Sequence, residues 1–121
     1  MRTLEIALPA PGGRLEQDEE WVVARTEDGW DRIRLHDYDR VFAIPGLYER
    51  WIYDVLQCTS PQVIRRLLEQ SLQGAGVTAE DLVVLDLGAG NGCVAEVLAE
   101  AGASRFVGVD IHPEAREAAE R

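Results

Sequence analysis

The chain has 121 residues, of which 46% are hydrophobic and 28% are charged, a composition typical of one modest globular domain and not of a disordered protein. Its formal net charge is -10, and its twelve basic residues are all arginines. Because phosphate backbones are bound by clustered cations, this charge argues against nucleic acid as the main partner.

The first 20 residues predict a mobile acidic leader. Prolines and glycines occur at residues 9–13, and a run of acidic residues follows at 16–20. Neither stretch offers apolar side chains that could pack in a core. We therefore assign residues 1–20 to the leader.

Residues 21–35 predict a β-hairpin. Two short runs of strand-forming residues flank the Asp-Gly pair at 28–29, which is a strong turn signal. Arg32 and Arg34 alternate with Ile33, the pattern expected of a half-buried strand. We interpret the arginine face as solvated outer surface, and a basic binding patch is the alternative.

A helix is predicted over residues 47–56, where apolar residues recur at helical spacing. Its face is unusually aromatic, with Tyr48, Trp51 and Tyr53 close together. We interpret these rings as core packing. The alternative is that they form a movable cover over a bound ligand.

A second helix is predicted over residues 60–73. Ser60 is the expected N-cap, Pro61 the first helical residue, and Gly74 and Gly76 the stop. Five apolar side chains are expected to face a sheet: Val63, Ile64, Leu67, Leu68 and Leu72. The hairpin and the two helices together make up a predicted segment of residues 21–76.

Residues 83–92 change from an apolar strand to a glycine turn and then to the start of a helix. The run of valine and leucine, broken only by Asp86, is typical of a parallel strand covered on both faces. Gly88, Gly90 and Gly92 allow a tight turn and a close ligand approach. We expect the N–H groups that open the next helix to be free to bind that ligand.

The helix and strand that follow the glycine turn are expected to bring an acid next to it. Helical spacing over residues 93–101 ends at Gly102, and residues 105–109 predict a second buried strand that leads into Asp110. A right-handed crossover sets two such strands side by side, so the glycine turn and Asp110 share one sheet edge. A carboxylate at this edge can accept two hydrogen bonds from a ribose diol.

Two segments, Asp-Leu-Gly-Ala-Gly-Asn-Gly at 86–92 and Val-Gly-Val-Asp-Ile at 107–111, resemble the first two motifs of class I S-adenosylmethionine-dependent methyltransferases. The resemblance covers residues 80–121 and implies an α/β fold with a Rossmann-like doubly wound sheet, incomplete in this chain. It also implies S-adenosylmethionine as the cofactor. The residues implied in cofactor binding are Asp86, Gly88, Ala89, Gly90, Asn91, Gly92, Asp110 and Ile111.

The nicotinamide dinucleotide fingerprint G-x-G-x-x-G is the nearest alternative. It requires its third glycine at the position of Cys93, whereas the third glycine here is Gly92. An acid at Asp86 would repel a pyrophosphate but suits the ammonium group of a methionine. These features favour a methyltransferase over an NAD(P)-dependent oxidoreductase. A non-catalytic ligand-binding or interaction module is the third alternative.

The resemblance implies that residues 77–121 begin a cofactor-binding domain, with further strands expected after it. We therefore expect the chain by itself to be an inactive amino-terminal part of a small-molecule methyltransferase, with no catalytic residue assigned. Cys93 is interpreted as a packing residue and His112 as a loop residue.

Cysteine usage and hydropathy predict where the protein works. Cys58 and Cys93 form no C-x-x-C pair and no metal-binding pattern, so we expect no metal. The sequence has no apolar leader and no apolar run of membrane-spanning length. We therefore predict a reduced, cytoplasmic setting without membrane attachment.

Overall fold

The computed structural model describes residues 4–10, 12, 16 and 19–121. The chain divides into two compact units, residues 1–57 and 58–121, called here the N-terminal and C-terminal units. This division falls earlier than the predicted boundary after residue 76, because the helix that begins at Ser60 belongs to the C-terminal unit. In the described part of the chain, no helix is long and apolar enough to cross a membrane.

The predicted hairpin is present as β2 (Trp21–Thr26) and β3 (Gly29–Arg34), which pair antiparallel. Ile33 is fully buried, whereas Arg32 and Arg34 are exposed. The predicted alternation is therefore confirmed, and the hairpin presents its apolar face to the core of the N-terminal unit.

A further strand, β1 (Ile6–Ala7), pairs antiparallel with β2, with Ile6 opposite Ala24. Leu4 and Ile6 also pack against the buried core. The prediction of a mobile leader is wrong for this stretch, because its two apolar side chains find a sheet edge and a core to cover. The remaining part of the predicted leader includes positions outside the described residues, namely 1–3, 11, 13–15 and 17–18.

Two helical segments complete the N-terminal unit. One is α1 (Tyr38–Ala43), which the sequence analysis did not predict, and the other is a π-helix (Glu49–Val55) within the predicted helix of residues 47–56. The N–H of Leu56 donates to the carbonyl oxygen of Trp51, the i→i+5 bond of a π-helix. The buried core of the unit consists of Val22, Ala24, Ile33, Val41, Leu47 and Trp51.

The aromatic side chains of the π-helix region pack within this unit. Trp51 is only 2% exposed. Tyr48 stacks on Phe42 with 4.8 Å between ring centres and meets Tyr53 edge-on at 5.8 Å. These contacts agree with the interpretation of the rings as packing residues. A movable cover over a ligand stays a prediction.

The C-terminal unit alternates helix and strand: α2 (Ser60–Ala75), a short 3-10 helix (Ala79–Asp81), β4 (Val83–Leu87), α3 (Cys93–Glu100), β5 (Arg105–Val109) and α4 (Pro113–Ala119). β4 and β5 pair in parallel, with Leu87 opposite Val109. The predicted strand–helix–strand unit is therefore confirmed. The fold is mixed α/β and compatible with a Rossmann-like fold, while the doubly wound extension of the sheet stays a prediction.

The N-cap of α2 lies one residue before the predicted cap, Ser60. Thr59 is the N-cap and makes no side-chain cap, and Ser60 is the first helical residue. The helix runs to Ala75, two residues past the predicted end, so Gly74 is helical and does not stop it. Gly76 is confirmed as the stop, since it forms the C-cap with a left-handed φ of 68°.

Contacts between α2 and α3 explain why α2 belongs to the C-terminal unit. Arg65 of α2 pairs with Glu69, one turn further along the same helix, at 2.9 Å. The same guanidinium reaches Glu100 of α3, also at 2.9 Å. The packing of α2 against α3, and not its position in the sequence next to the N-terminal unit, therefore determines the unit to which α2 belongs.

One face of the β4–β5 sheet is exposed, which corrects the prediction that these strands are covered on both faces. Leu85 is 61% and Leu87 73% exposed, whereas Val84 and Phe106, which point to the other side, are half-buried. We call the exposed side chains the apolar sheet face: Val83, Leu85, Leu87, Val107 and Val109. Three α2 side chains expected against the sheet also remain partly exposed: Val63, Ile64 and Leu67.

Candidate functional site

The glycine turn begins where β4 ends. Gly88, Gly90 and Gly92 have φ values of 78°, 55° and 80°, all in the left-handed region that other residues rarely adopt. Gly92 is also the N-cap of α3. The three glycines are therefore required by the backbone path that joins β4 to α3.

Three amide groups of this turn are engaged within the protein, whereas the availability of the N–H groups that open α3 stays a prediction. The N–H groups of Gly88 and Ala89 both donate to the carbonyl oxygen of Val109, at 2.7 and 3.1 Å. The N–H of Gly92 donates to the carbonyl oxygen of Ala89 at 2.9 Å. The end of β5 thus holds the turn after β4.

Asp110 lies at the same edge of the sheet as the glycine turn, as predicted from the crossover. Its Oδ2 accepts a hydrogen bond from the N–H of Gly90 at 2.9 Å. Its Oδ1 accepts one from the N–H of His112, also at 2.9 Å. Burial raises the pKa of Asp110, but the backbone N–H groups of His112 and Gly90 outweigh it, so the pKa lies below its ordinary value.

Asp86 lies in β4, two residues before the turn and opposite Gly108 of β5. Its Oδ2 is buried and has no hydrogen-bond partner within the described part of the chain. A buried carboxylate oxygen without a partner is costly, because water no longer solvates it. This atom is suited to a donor or cation that a ligand brings.

Gly108 is a residue whose packing role the sequence analysis did not identify. A Cβ at this position would lie 3.1 Å from the Cβ of Ala89, closer than ordinary contact. The glycine therefore lets β5 approach the turn closely. A glycine inside a strand pattern is the signal that could have indicated this approach.

The remaining predicted site residues lie around the turn. The Oδ1 of Asn91 accepts a hydrogen bond from the N–H of Cys93 at 3.4 Å. Ile111, which follows Asp110, is 89% exposed. His112 is the N-cap of α4. All eight predicted cofactor residues thus lie on β4, on the turn after it, or just after β5.

Residues 85–121 match a family of proteins described as "Methyltransferase domain". The match begins inside β4 and includes the glycine turn, β5 and Asp110. The chain matches no curated protein and no solved structure. Residues 85–121 are therefore similar to a methyltransferase domain, in agreement with the resemblance that the two motifs indicated.

Proposed function

We propose that the C-terminal unit binds S-adenosylmethionine and that the protein is a methyltransferase for a small molecule. The family match supports the transferase class. The glycine turn and two carboxylates at one sheet edge support this particular cofactor.

The observation that carries the proposal is the unpartnered Oδ2 of Asp86. The ammonium group of a methionine moiety has donors and a positive charge, and would satisfy this atom by a charge-assisted hydrogen bond. A dinucleotide instead brings a pyrophosphate, which Asp86 would repel. The residue thus fits the proposed ligand and not its nearest alternative.

Other residues fit the rest of the same ligand. Asp110 carries the carboxylate that would accept hydrogen bonds from the ribose hydroxyls. Ile111 offers an exposed side chain for apolar contact with the adenine. The cofactor supplies a methyl group on a sulfonium, so the protein's contribution is mainly to position the reactants and exclude water.

A small molecule is the methyl acceptor that the charge of the chain favours. The net charge of -10 disfavours nucleic acid as a substrate. Cys58 and Cys93 are not joined by a disulfide, which supports a reducing compartment such as the cytoplasm.

The test compares the effect of three ligands on the melting temperature of the chain. Circular dichroism monitors the thermal unfolding. S-Adenosylhomocysteine at about 100 times its Kd should stabilise the protein by about 2.7 kcal/mol. NAD and NADP at the same concentration should leave the melting temperature unchanged. A shift with a dinucleotide alone would instead support an oxidoreductase, and no shift with any of the three would support a non-catalytic interaction module.

A further inference from the structure

We propose that Asp110 is a positioning residue that sets the conformation of the glycine turn before any ligand binds. The proposal goes beyond contact with ribose hydroxyls, and only its effect on ligand affinity rests on the proposed function. Its basis is that each carboxylate oxygen already accepts a backbone hydrogen bond, from Gly90 and from His112, both at 2.9 Å.

These two bonds connect separate parts of the site. Gly90 lies at the centre of the turn after β4, and His112 lies immediately before α4. One side chain therefore ties the turn to the start of α4. Because Gly90 has a left-handed φ of 55°, and glycine has access to many other conformations, the bond from Asp110 selects one of them.

The carboxylate can keep this role while it binds a ligand. Each oxygen has two lone pairs, so it can accept a ligand hydroxyl and retain its backbone donor. A turn that is already ordered loses less conformational freedom on binding, which raises affinity for every part of the ligand that contacts the turn. A residue that only bound the hydroxyls would not have this wider effect.

The test uses Asp110→Asn in the 121-residue chain. Asparagine keeps the size of the side chain but has one acceptor oxygen, so it can satisfy only one of the two backbone donors. The matched control is Asp81→Asn at the opposite end of β4, where Oδ2 accepts a bond from the hydroxyl of Thr78 at 2.8 Å.

Two ligands separate positioning from direct contact: S-adenosylhomocysteine and its analogue without the two ribose hydroxyls. We expect Asp110→Asn to weaken the binding of both ligands by at least about tenfold, the lower end of the effect of a hydrogen bond to a charged group. Asp81→Asn should bind both as the wild type does. Loss of affinity for the hydroxyl-bearing ligand alone would overturn the proposal.

A ligand-free measurement tests the positioning role even if the proposed function fails. Because asparagine can satisfy only one of the two donors, hydrogen exchange at the amide of Gly90 or at that of His112 should be at least about tenfold faster in Asp110→Asn than in the wild type. In the wild type, nuclear magnetic resonance shifts of both amide protons should follow one acid titration, with a midpoint below the ordinary pKa of aspartate. Because this titration is measured on the wild type, it does not depend on whether Asp110→Asn folds. The absence of the titration at either amide would overturn the proposal. If no ligand binds the wild type but both amides behave as expected, the proposed function fails and the positioning role stands.

Discussion

Two carboxylates near one end of the parallel sheet have opposite hydrogen-bonding states. Both oxygens of Asp110 accept backbone hydrogen bonds, whereas Oδ2 of Asp86 is buried without a partner in the described chain. An unsatisfied buried group of this kind costs about 1–3 kcal/mol. Asp110 therefore stabilises the ligand-free unit, while Asp86 weakens it and is suited to a ligand.

This contrast predicts that the same isosteric change has different effects at the two positions. Asp86→Asn removes a buried charge and should leave the free energy of unfolding unchanged or raise it by about 1 kcal/mol. It should also weaken S-adenosylhomocysteine binding by at least about tenfold, because a charge-assisted bond to the ammonium is lost. Urea unfolding and isothermal titration calorimetry measure the two quantities.

Asp110→Asn is the matched comparison for this prediction. It should lower both the free energy of unfolding and the ligand affinity, since two backbone donors depend on its carboxylate. Equal destabilisation by the two substitutions would contradict the assignment of different roles to these acids.

Among the secondary-structure elements, the end of α2 is where the local sequence determines the conformation most directly. Gly76 is the left-handed C-cap, with a φ of 68°, whereas Gly74 lies inside the helix two residues earlier. A Cβ at either position would meet nothing within 4 Å. If substitutions at these two glycines change the free energy of unfolding differently, the cause is therefore the backbone conformation and not side-chain packing.

Alanine at the two positions should change stability in opposite directions. Gly76→Ala should lower the free energy of unfolding by about 1–2 kcal/mol, because the left-handed conformation strains a residue with a Cβ. Gly74→Ala should raise it by about 0.5–1 kcal/mol, because alanine loses less conformational freedom in a helix than glycine. Urea unfolding of both variants measures the changes, and a stabilising Gly76→Ala would show that α2 does not end at this residue.

Other elements were less predictable from their own residues. α1 (Tyr38–Ala43) has only six residues, too few to establish a helical period. The helix predicted over residues 47–56 is present, but its π-type hydrogen bonding was not expected. Apolar spacing indicates which side chains turn inward, as it did for Trp51. It does not specify which carbonyl oxygen accepts the hydrogen bond from each backbone N–H group.

For the whole molecule, the apolar sheet face is the feature with the clearest consequence. Parallel sheets are almost always covered on both faces, yet these side chains are exposed in the described chain. We therefore expect the 121-residue protein to self-associate or to bind a hydrophobic dye such as ANS.

Glutamine at Leu85 tests this expectation, and glutamine at Leu98 is the control. Leu85 is 61% exposed, so Leu85→Gln should reduce association and dye binding with little effect on the free energy of unfolding. Leu98 in α3 is 3% exposed, so Leu98→Gln should lower that free energy by about 3 kcal/mol. Analytical ultracentrifugation and dye fluorescence give the first result. A monomeric wild type that binds no dye would contradict the expectation.

The sequence by itself determined the elements whose cause lies within a few neighbouring residues. The alternation around Ile33 predicted the hairpin, the glycines at 88–92 predicted the turn, and Gly76 marked the end of α2. The same short-range patterns carried the resemblance that the family match over residues 85–121 confirmed.

Only the tertiary structure decided which groups meet across longer separations. It added Ile6 to the sheet, joined α2 to α3 through Arg65, and gave the turn amides their acceptors on Val109 and Asp110. It also left one face of β4 and β5 exposed. The physical reason is that side-chain periodicity and backbone preference are local properties, whereas hydrogen-bond partners and burial depend on where the rest of the chain has packed.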